Sequence, residues 1–209
     1  MYKLYWSQGS GVMTPQALLE EAGADYEKIV VDIASNDHKS AEFLAVNPLG
    51  QIPALVLPDG TLMTESAAMV LQIADRHPEA KLAPPAASPE SARFQRWLLF
   101  LATSLYTAAL RYYYPDQFTS DPAGHGGISA TGLADFDRCL AILDEALDPG
   151  PYLLGETFSA VDVYLTMLVG WHPEMPESLA ANPRIRKLCE LVEARPAIAR
   201  VWAEHDEDA

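Results

Sequence analysis

Apolar and polar positions alternate from the first residues of the chain: Tyr2, Leu4 and Trp6 against Lys3 and Tyr5. This is the period of two that predicts a strand over 2–6. Thr14, Pro15 and Gly23 then supply the start and stop chemistry of a helix, with Thr14 as its cap, Pro15 at its first position and Gly23 just past its end. Residues 29–33 read as a second strand and 40–45 as a short helical turn. Residues 52–57 and 61–63 read as two short strands joined by Pro58-Asp59-Gly60, a tight-turn sequence that makes them an antiparallel hairpin. A helix over 65–77 completes a βαβ-ββα order, an α/β domain spanning 1–80.

The pattern then changes. Residues 81–89 are rich in Pro and Ala without periodicity and read as a linker. Beyond it the spacing is helical. Phe94, Trp97, Leu98, Leu101, Leu105 and Ala108 recur every three or four residues, in a helix that ends before Pro115. Residues 116–128, with Gly124, Gly126 and Gly127, read as a loop. Leu133, Phe136, Leu140, Leu143 and Leu147 mark the next helix, and Pro183 and Pro196 open the last two. The closing 206–209 read as a frayed tail. The second domain, 90–209, is therefore expected to be an all-helical bundle.

Composition narrows the function classes. The chain has 29 acidic against 14 basic residues, a net charge of −15, the wrong sign for neutralising nucleic-acid phosphates or an anionic membrane. No apolar run approaches the ~18 residues of a membrane span, and the alternating start is unlike a secretory leader. The two cysteines, Cys139 and Cys189, form no disulfide framework and fit a reducing, cytoplasmic setting. No metal-ligand spacing is present. In so acidic a chain, any anion must be held by local donors at short range.

Such donors are offered by the stretch Val46-Asn-Pro-Leu-Gly-Gln-Ile-Pro-Ala-Leu and, beyond the hairpin, by Thr64-Glu65-Ser66. Pro53 opens a strand without donating to it. A cis Ile52–Pro53 bond would turn the Ile52 backbone outward, where an extended peptide can pair with it; a trans loop proline would do nothing of the kind. Glu65 and Ser66 open a helix whose amides and dipole attract a carboxylate. Ser66 adds a hydroxyl donor, and Glu65 an acceptor for an ammonium group, which together suit an α-amino acid head. Plain helix capping is the alternative reading of the pair.

These residues resemble the glutathione-binding domain of cytosolic glutathione transferases, marked by an Asn-Pro-x-Gly-x-x-Pro turn followed by Glu-Ser, and the resemblance covers essentially the whole chain. It implies a thioredoxin-like first domain, a helical second domain, a homodimer, and glutathione as co-substrate. It also implies a cis Pro53, pairing of the cysteinyl backbone with Ile52 beside Gln51, and a γ-glutamyl group held by Glu65 and Ser66. His38 or Lys39 would meet the glycyl carboxylate, as in delta-type members. Phe158-Ser159-Ala160-Val161-Asp162-Val163 resembles the N-capping box of the same family, a structural element that Ser159 and Asp162 can form by themselves.

A transferase must also stabilise the glutathione thiolate, at about 1.4 kcal/mol for each pKa unit. The family uses a Tyr, Ser or Cys near the end of the first strand. No cysteine precedes Cys139, which departs from the cysteine-using types and leaves no Cys-x-x-Cys redox pair. Gly9-Ser10 resembles the Gly-Ser of serine-using members and puts Ser10 first, with Tyr5 and Ser7 as alternatives. Tyr106, Tyr113, Tyr112 and Phe118 are candidates for an aromatic second-substrate wall, Tyr106 and Tyr113 foremost. The expected activity is conjugation of glutathione to small apolar electrophiles. A glutathione-dependent lyase, dehalogenase or isomerase, or a non-catalytic binding module on the same fold, stands as the alternative.

Overall fold

In the computed structural model, which describes residues 1–206, the chain divides into two compact units, residues 1–83 with the segment from 193 onward, and residues 84–192. In the first, β1 (Tyr2–Trp6), α1 (Met13–Glu21), β2 (Tyr26–Val30), α2 (Ala41–Val46), β3 (Ala54–Val56), β4 (Leu62–Met63) and α3 (Ser66–Arg76) follow one another. The sheet order is β2-β1-β3-β4. β1 runs parallel to β2, with Tyr2 opposite Tyr26, and antiparallel to β3, with Tyr5 opposite Ala54. β3 and β4 form the expected hairpin. Leu4, Leu18, Leu19, Leu55, Met69 and Ile73 are fully buried at the centre of this unit. The mixed four-stranded sheet with its helices is the thioredoxin-like arrangement.

The helices of the second unit are α4 (Pro89–Phe100), α5 (Tyr106–Tyr113), α6 (His125–Ala146), α7 (Ala160–Val169), α8 (Met175–Ala181) and α9 (Pro183–Glu193). A π-turn over Leu101–Leu105 joins α4 to α5. α5 packs along α6, and α7 is buried over its whole length. Gly132 permits the α5–α6 approach, since a Cβ there would meet the Tyr112 backbone nitrogen at 2.7 Å. The last helix, α10 (Pro196–His205), packs on α1. It belongs by its contacts to the first unit, not to the helical run that precedes it in the chain.

Several local expectations shift. α1 begins at Met13 with Val12 as its N-cap, so Thr14 lies inside it, fully buried, and is not the cap. Pro15 is tolerated because first-turn amides have no intrahelical acceptor in any case. The second strand is 26–30 rather than 29–33. It is a half-exposed edge strand whose register is set by pairing with β1, and Ile33 lies outside it at 41% exposure. Gly126 and Gly127 fall within α6, not in a loop. Residues 207–209 of the expected tail lie outside the described residues; the Asp206 carbonyl accepts from the Gln8 side chain at 3.0 Å.

Candidate glutathione site

The motif residues gather at one end of the first unit's sheet. α2 is capped by Ser40, whose hydroxyl accepts from the Phe43 amide at 3.2 Å, and it leads into the turn at 47–50. There Asn47 is buried. Its side chain donates to the Gln51 carbonyl at 2.7 Å and accepts from the Leu49 amide at 3.1 Å. Gly50 adopts φ +61°, and a Cβ there would meet the His38 carbonyl at 2.8 Å, so only glycine fits this crossing. The Asn-Pro-x-Gly sequence thus folds a turn that holds Gln51 and Ile52 in place. The Ile52–Pro53 bond is cis. β1–β3 pairing begins at Ala54, which leaves Ile52 outside the ladder.

Across the hairpin, Glu65 stands as N-cap of α3 with φ 65° and ψ 103°. Such a conformation is rare for a residue with a Cβ, and it clusters at functional sites. Glu65 is exposed and makes no side-chain capping bond, while Ser66, the first helical residue, is buried. The first turn of α3 thus begins beside an acidic side chain that does not cap it. His38 and Lys39 lie on a 3-10 turn over Asp37–Lys39 that packs against Gly50. His38 Nδ1 is buried without a hydrogen-bond partner, an acceptor or donor still to be satisfied.

The three thiol candidates differ in their surroundings. Tyr5 is half-buried, with its ring edge-on to Phe43 at 5.6 Å. Ser7 is buried at the end of β1. Ser10 donates its hydroxyl to the Ser7 carbonyl at 2.8 Å, and its oxygen accepts from the Val12 amide at 3.4 Å. Its own carbonyl takes the Met13 amide at 3.2 Å. Ser10 thus sits in the turn that leads into α1, whose N-cap is Val12 and not Thr14. The sequence reading also missed His205, which accepts the Gly9 amide at 2.9 Å. A lone histidine near the end of an amphipathic helix carries no signal of that reach.

Tyr106 is half-buried, edge-to-face with Trp171 at 5.1 Å and tilted against Tyr164 at 6.5 Å. The hydroxyl of the half-exposed Tyr113 donates to the Trp171 carbonyl at 2.6 Å, and burial raises its pKa. Tyr112 stacks edge-on against Tyr113 at 4.8 Å. Phe118 is exposed and lies 5.9 Å from the Arg111 guanidinium. Among the described residues, no helix is long and apolar enough to cross a membrane.

Residues 13–76 match the family model for the glutathione S-transferase N-terminal domain, and residues 127–200 that for the C-terminal domain. The chain is 28% identical to the glutathione S-transferase GstA of Escherichia coli O157:H7 over 197 residues, 94% of each chain. It is 33% identical to an uncharacterised glutathione-transferase-like protein, YncG, of Escherichia coli K12 over 177 residues, 83% of each. Among solved structures, a glutathione transferase homologue from Sulfitobacter with bound glutathione superposes with a TM-score of 0.89 at 27% identity, covering 98% of both chains.

Proposed function

The chain belongs to the glutathione S-transferase family, and on that premise we propose that it binds glutathione in its first unit and conjugates the thiolate to small apolar electrophiles. The observation that carries the reading is the start of α3, where Glu65 holds a positive φ and its side chain makes no capping bond to the helix. A γ-glutamyl carboxylate placed there would receive the first-turn amides and the Ser66 hydroxyl, and its ammonium group would face the Glu65 carboxylate. The Ile52 backbone would pair with the cysteinyl unit beside Gln51 and Pro53. Lys39 and the unsatisfied His38 Nδ1 would meet the glycyl end. That arrangement places the sulfur toward the β1–α1 loop.

In that loop Ser10 is the leading thiolate donor, followed by Tyr5 and Ser7. Ser10 would have to turn its proton from the Ser7 carbonyl, 2.8 Å away, to the sulfur. The exchange replaces a neutral acceptor by a charged one, for which a hydrogen bond is roughly twice as strong. Tyr106 and Tyr113 would supply aromatic surface for a flat co-substrate. We further propose a cytoplasmic homodimer in which the thioredoxin-like half of one subunit packs on the helical half of the other.

The test is the ultraviolet absorbance of the glutathione thiolate in the complex across pH, read for the parent, Ser10→Ala, Ser7→Ala and Tyr5→Phe. The expected result is a bound-thiol pKa below that of free glutathione, raised in Ser10→Ala with little change in affinity. If Tyr5→Phe alone moves it, the tyrosine is the donor; if none does, the loop amides are. A parent that binds no glutathione overturns the reading.

A further inference from the structure

The closing helix brings a buried imidazole against the loop that the thiol chemistry requires. His205 is 6% exposed and accepts the Gly9 amide at Nδ1, 2.9 Å away. With an acceptor at Nδ1, the proton of a neutral imidazole sits on Nε2. Nε2 faces Gln16 Oε1 at 2.9 Å, and that same oxygen takes the Trp6 indole N–H at 2.7 Å; the indole nitrogen also lies 3.2 Å from Nε2, a longer approach that a protonated Nε2 cannot accept and that gives way to the shorter bond. The Gln16 amide then donates to Glu204 at 2.7 Å and to the Tyr26 hydroxyl at 3.2 Å, which in turn donates to Glu20 at 2.9 Å. Every donor in the chain of bonds has an acceptor, and the network is anchored on β1, α1, β2 and α10 together. Gln8, the neighbour of Gly9, donates to the Asp206 carbonyl at 3.0 Å. Two consecutive loop residues are therefore tied to consecutive residues at the end of α10.

We infer that His205 is a positioning residue for the thiol chemistry: through the Gly9 amide it holds the β1–α1 loop so that Ser7, Ser10 and the amides between them face the sulfur of bound glutathione. The sulfur's place rests on the transferase reading above; the His205–Gly9 contact does not. Without that contact the turn over 7–10 retains the long Ser10 amide bond to the Ser7 carbonyl, 3.4 Å, and the Ser10 hydroxyl bond to the same carbonyl. The latter is the bond that Ser10 would give up to a thiolate. Gly9 itself is in the left-handed region at φ +65°, and a Cβ there would meet nothing within 4 Å. Its conformation, and not crowding, is what the external acceptor sustains.

Only a neutral imidazole can accept at Nδ1. Burial lowers the His205 pKa to about 4, with Glu204 acting against the shift and Lys28 with it. Lys28 is itself paired to Glu204 at 2.7 Å. Glu20, reached through Tyr26, is paired with Arg200 at 3.1 Å, and Asp206 adjoins the ring in sequence. Between about 4 and the ordinary 6.5 the unfolded chain binds a proton at this position and the folded chain does not. Stability is thus expected to fall as pH drops through that window.

The test compares the full chain with three variants. An Asn amide reaches about as far as Nδ1 and a Gln amide about as far as Nε2, so His205→Asn keeps an acceptor for Gly9, His205→Gln keeps only the Gln16 contact, and His205→Phe keeps only the ring. In ligand-free protein, Gly9 amide exchange is expected to speed up at least about tenfold in His205→Gln and His205→Phe, with protection regained in His205→Asn. With glutathione bound, the thiolate fraction at a pH below the thiol pKa is expected to fall about tenfold in the same two variants and to recover in His205→Asn. Unchanged Gly9 exchange in His205→Gln overturns the contact. Altered exchange with an unchanged thiolate fraction overturns the positioning role. A parent that binds no glutathione sinks the transferase reading while the exchange result stands. Should the variants fail to fold, the imidazole nitrogen shifts of the parent decide: a proton on Nε2 and no titration near 6.5 are expected, and a proton on Nδ1 overturns the inference.

Discussion

The starts of α3 and α7 use the same two residue types, a serine and an acid, to opposite ends. At α7 the acid follows the serine by three, so it can reach back. Ser159 and Asp162 form a capping box, and Asp162 also accepts the Leu153 amide at 2.9 Å beside the Ser159 amide at 2.8 Å. Both side chains are almost wholly buried. Burial pushes the Asp162 carboxyl up to about 7, and the hydrogen bonds to it act the other way. At α3 the acid directly precedes the serine, at the N-cap, and its side chain makes no capping bond to its own helix. Glu65 is exposed, at a positive φ, with no capping bond from its side chain. One helix start is closed on itself and holds the fold. The other has no side-chain cap from its N-cap residue, and the proposed function gives it a ligand.

The largest effect that separates them is expected at the closed start. Asp162→Ala leaves the Leu153 and Ser159 amides buried without an acceptor, at about 1–3 kcal/mol each. The variant should lose about 3 kcal/mol or more in urea unfolding, while its folded fraction binds glutathione as the parent does. A loss below about 1 kcal/mol would show that water or rearrangement satisfies those amides. Next in size is Ser66→Ala at the open start. Losing a hydroxyl bond to a charged carboxylate is worth roughly 1.5–3 kcal/mol, so glutathione affinity measured by calorimetry should fall more than tenfold. Parent-like affinity would reduce α3 to an ordinary helix start.

This difference is partly legible in the sequence, because the serine and acid at α7 have the spacing of a capping box and those at α3 do not. Ser159 and Asp162 announce their box by spacing alone, and the Asn-Pro-x-Gly turn announces Gly50. The φ of Glu65 is not so written, since it is imposed by the hairpin that delivers the chain to α3. Edge strand β2 lies away from its expected place for a related reason. Its half-exposed Tyr-Glu-Lys-Ile-Val pattern is weaker than the apolar cluster just after it, and only pairing with β1 fixes the register. The role of His205 is farther still from the sequence, 196 residues beyond Gly9 and dependent on α10 docking on α1. Local chemistry is readable when both partners lie within one turn; contacts made by docking are not.

A smaller effect tests the closed start from its other partner. Ser159→Ala removes an N-cap hydroxyl worth about 1 kcal/mol but leaves the Asp162 carboxylate to hold both amides. The expected loss in urea unfolding is therefore well below that of Asp162→Ala, with unaltered glutathione affinity. Equal losses would mean that the serine, and not the aspartate, carries the cap.

At Glu65 the sign of the stability change is what matters. A residue with a Cβ held at φ 65° and ψ 103° carries a cost on the order of 1–3 kcal/mol, which glycine does not. Glycine in turn gives up about 0.5–1 kcal/mol through the greater freedom of the unfolded chain. Glu65→Gly should therefore leave the ligand-free protein as stable as the parent, or up to about 2.5 kcal/mol more stable. Glutathione affinity should fall at the same time, because the variant has no carboxylate to face the ligand's ammonium group. Thermal unfolding and glutathione titration on the same samples read the two together. A residue kept for folding would show stability falling and affinity unchanged, as expected of Asp162. If Glu65→Gly lost stability and kept its affinity, the open start of α3 would be a structural cap after all, and its contrast with α7 would disappear.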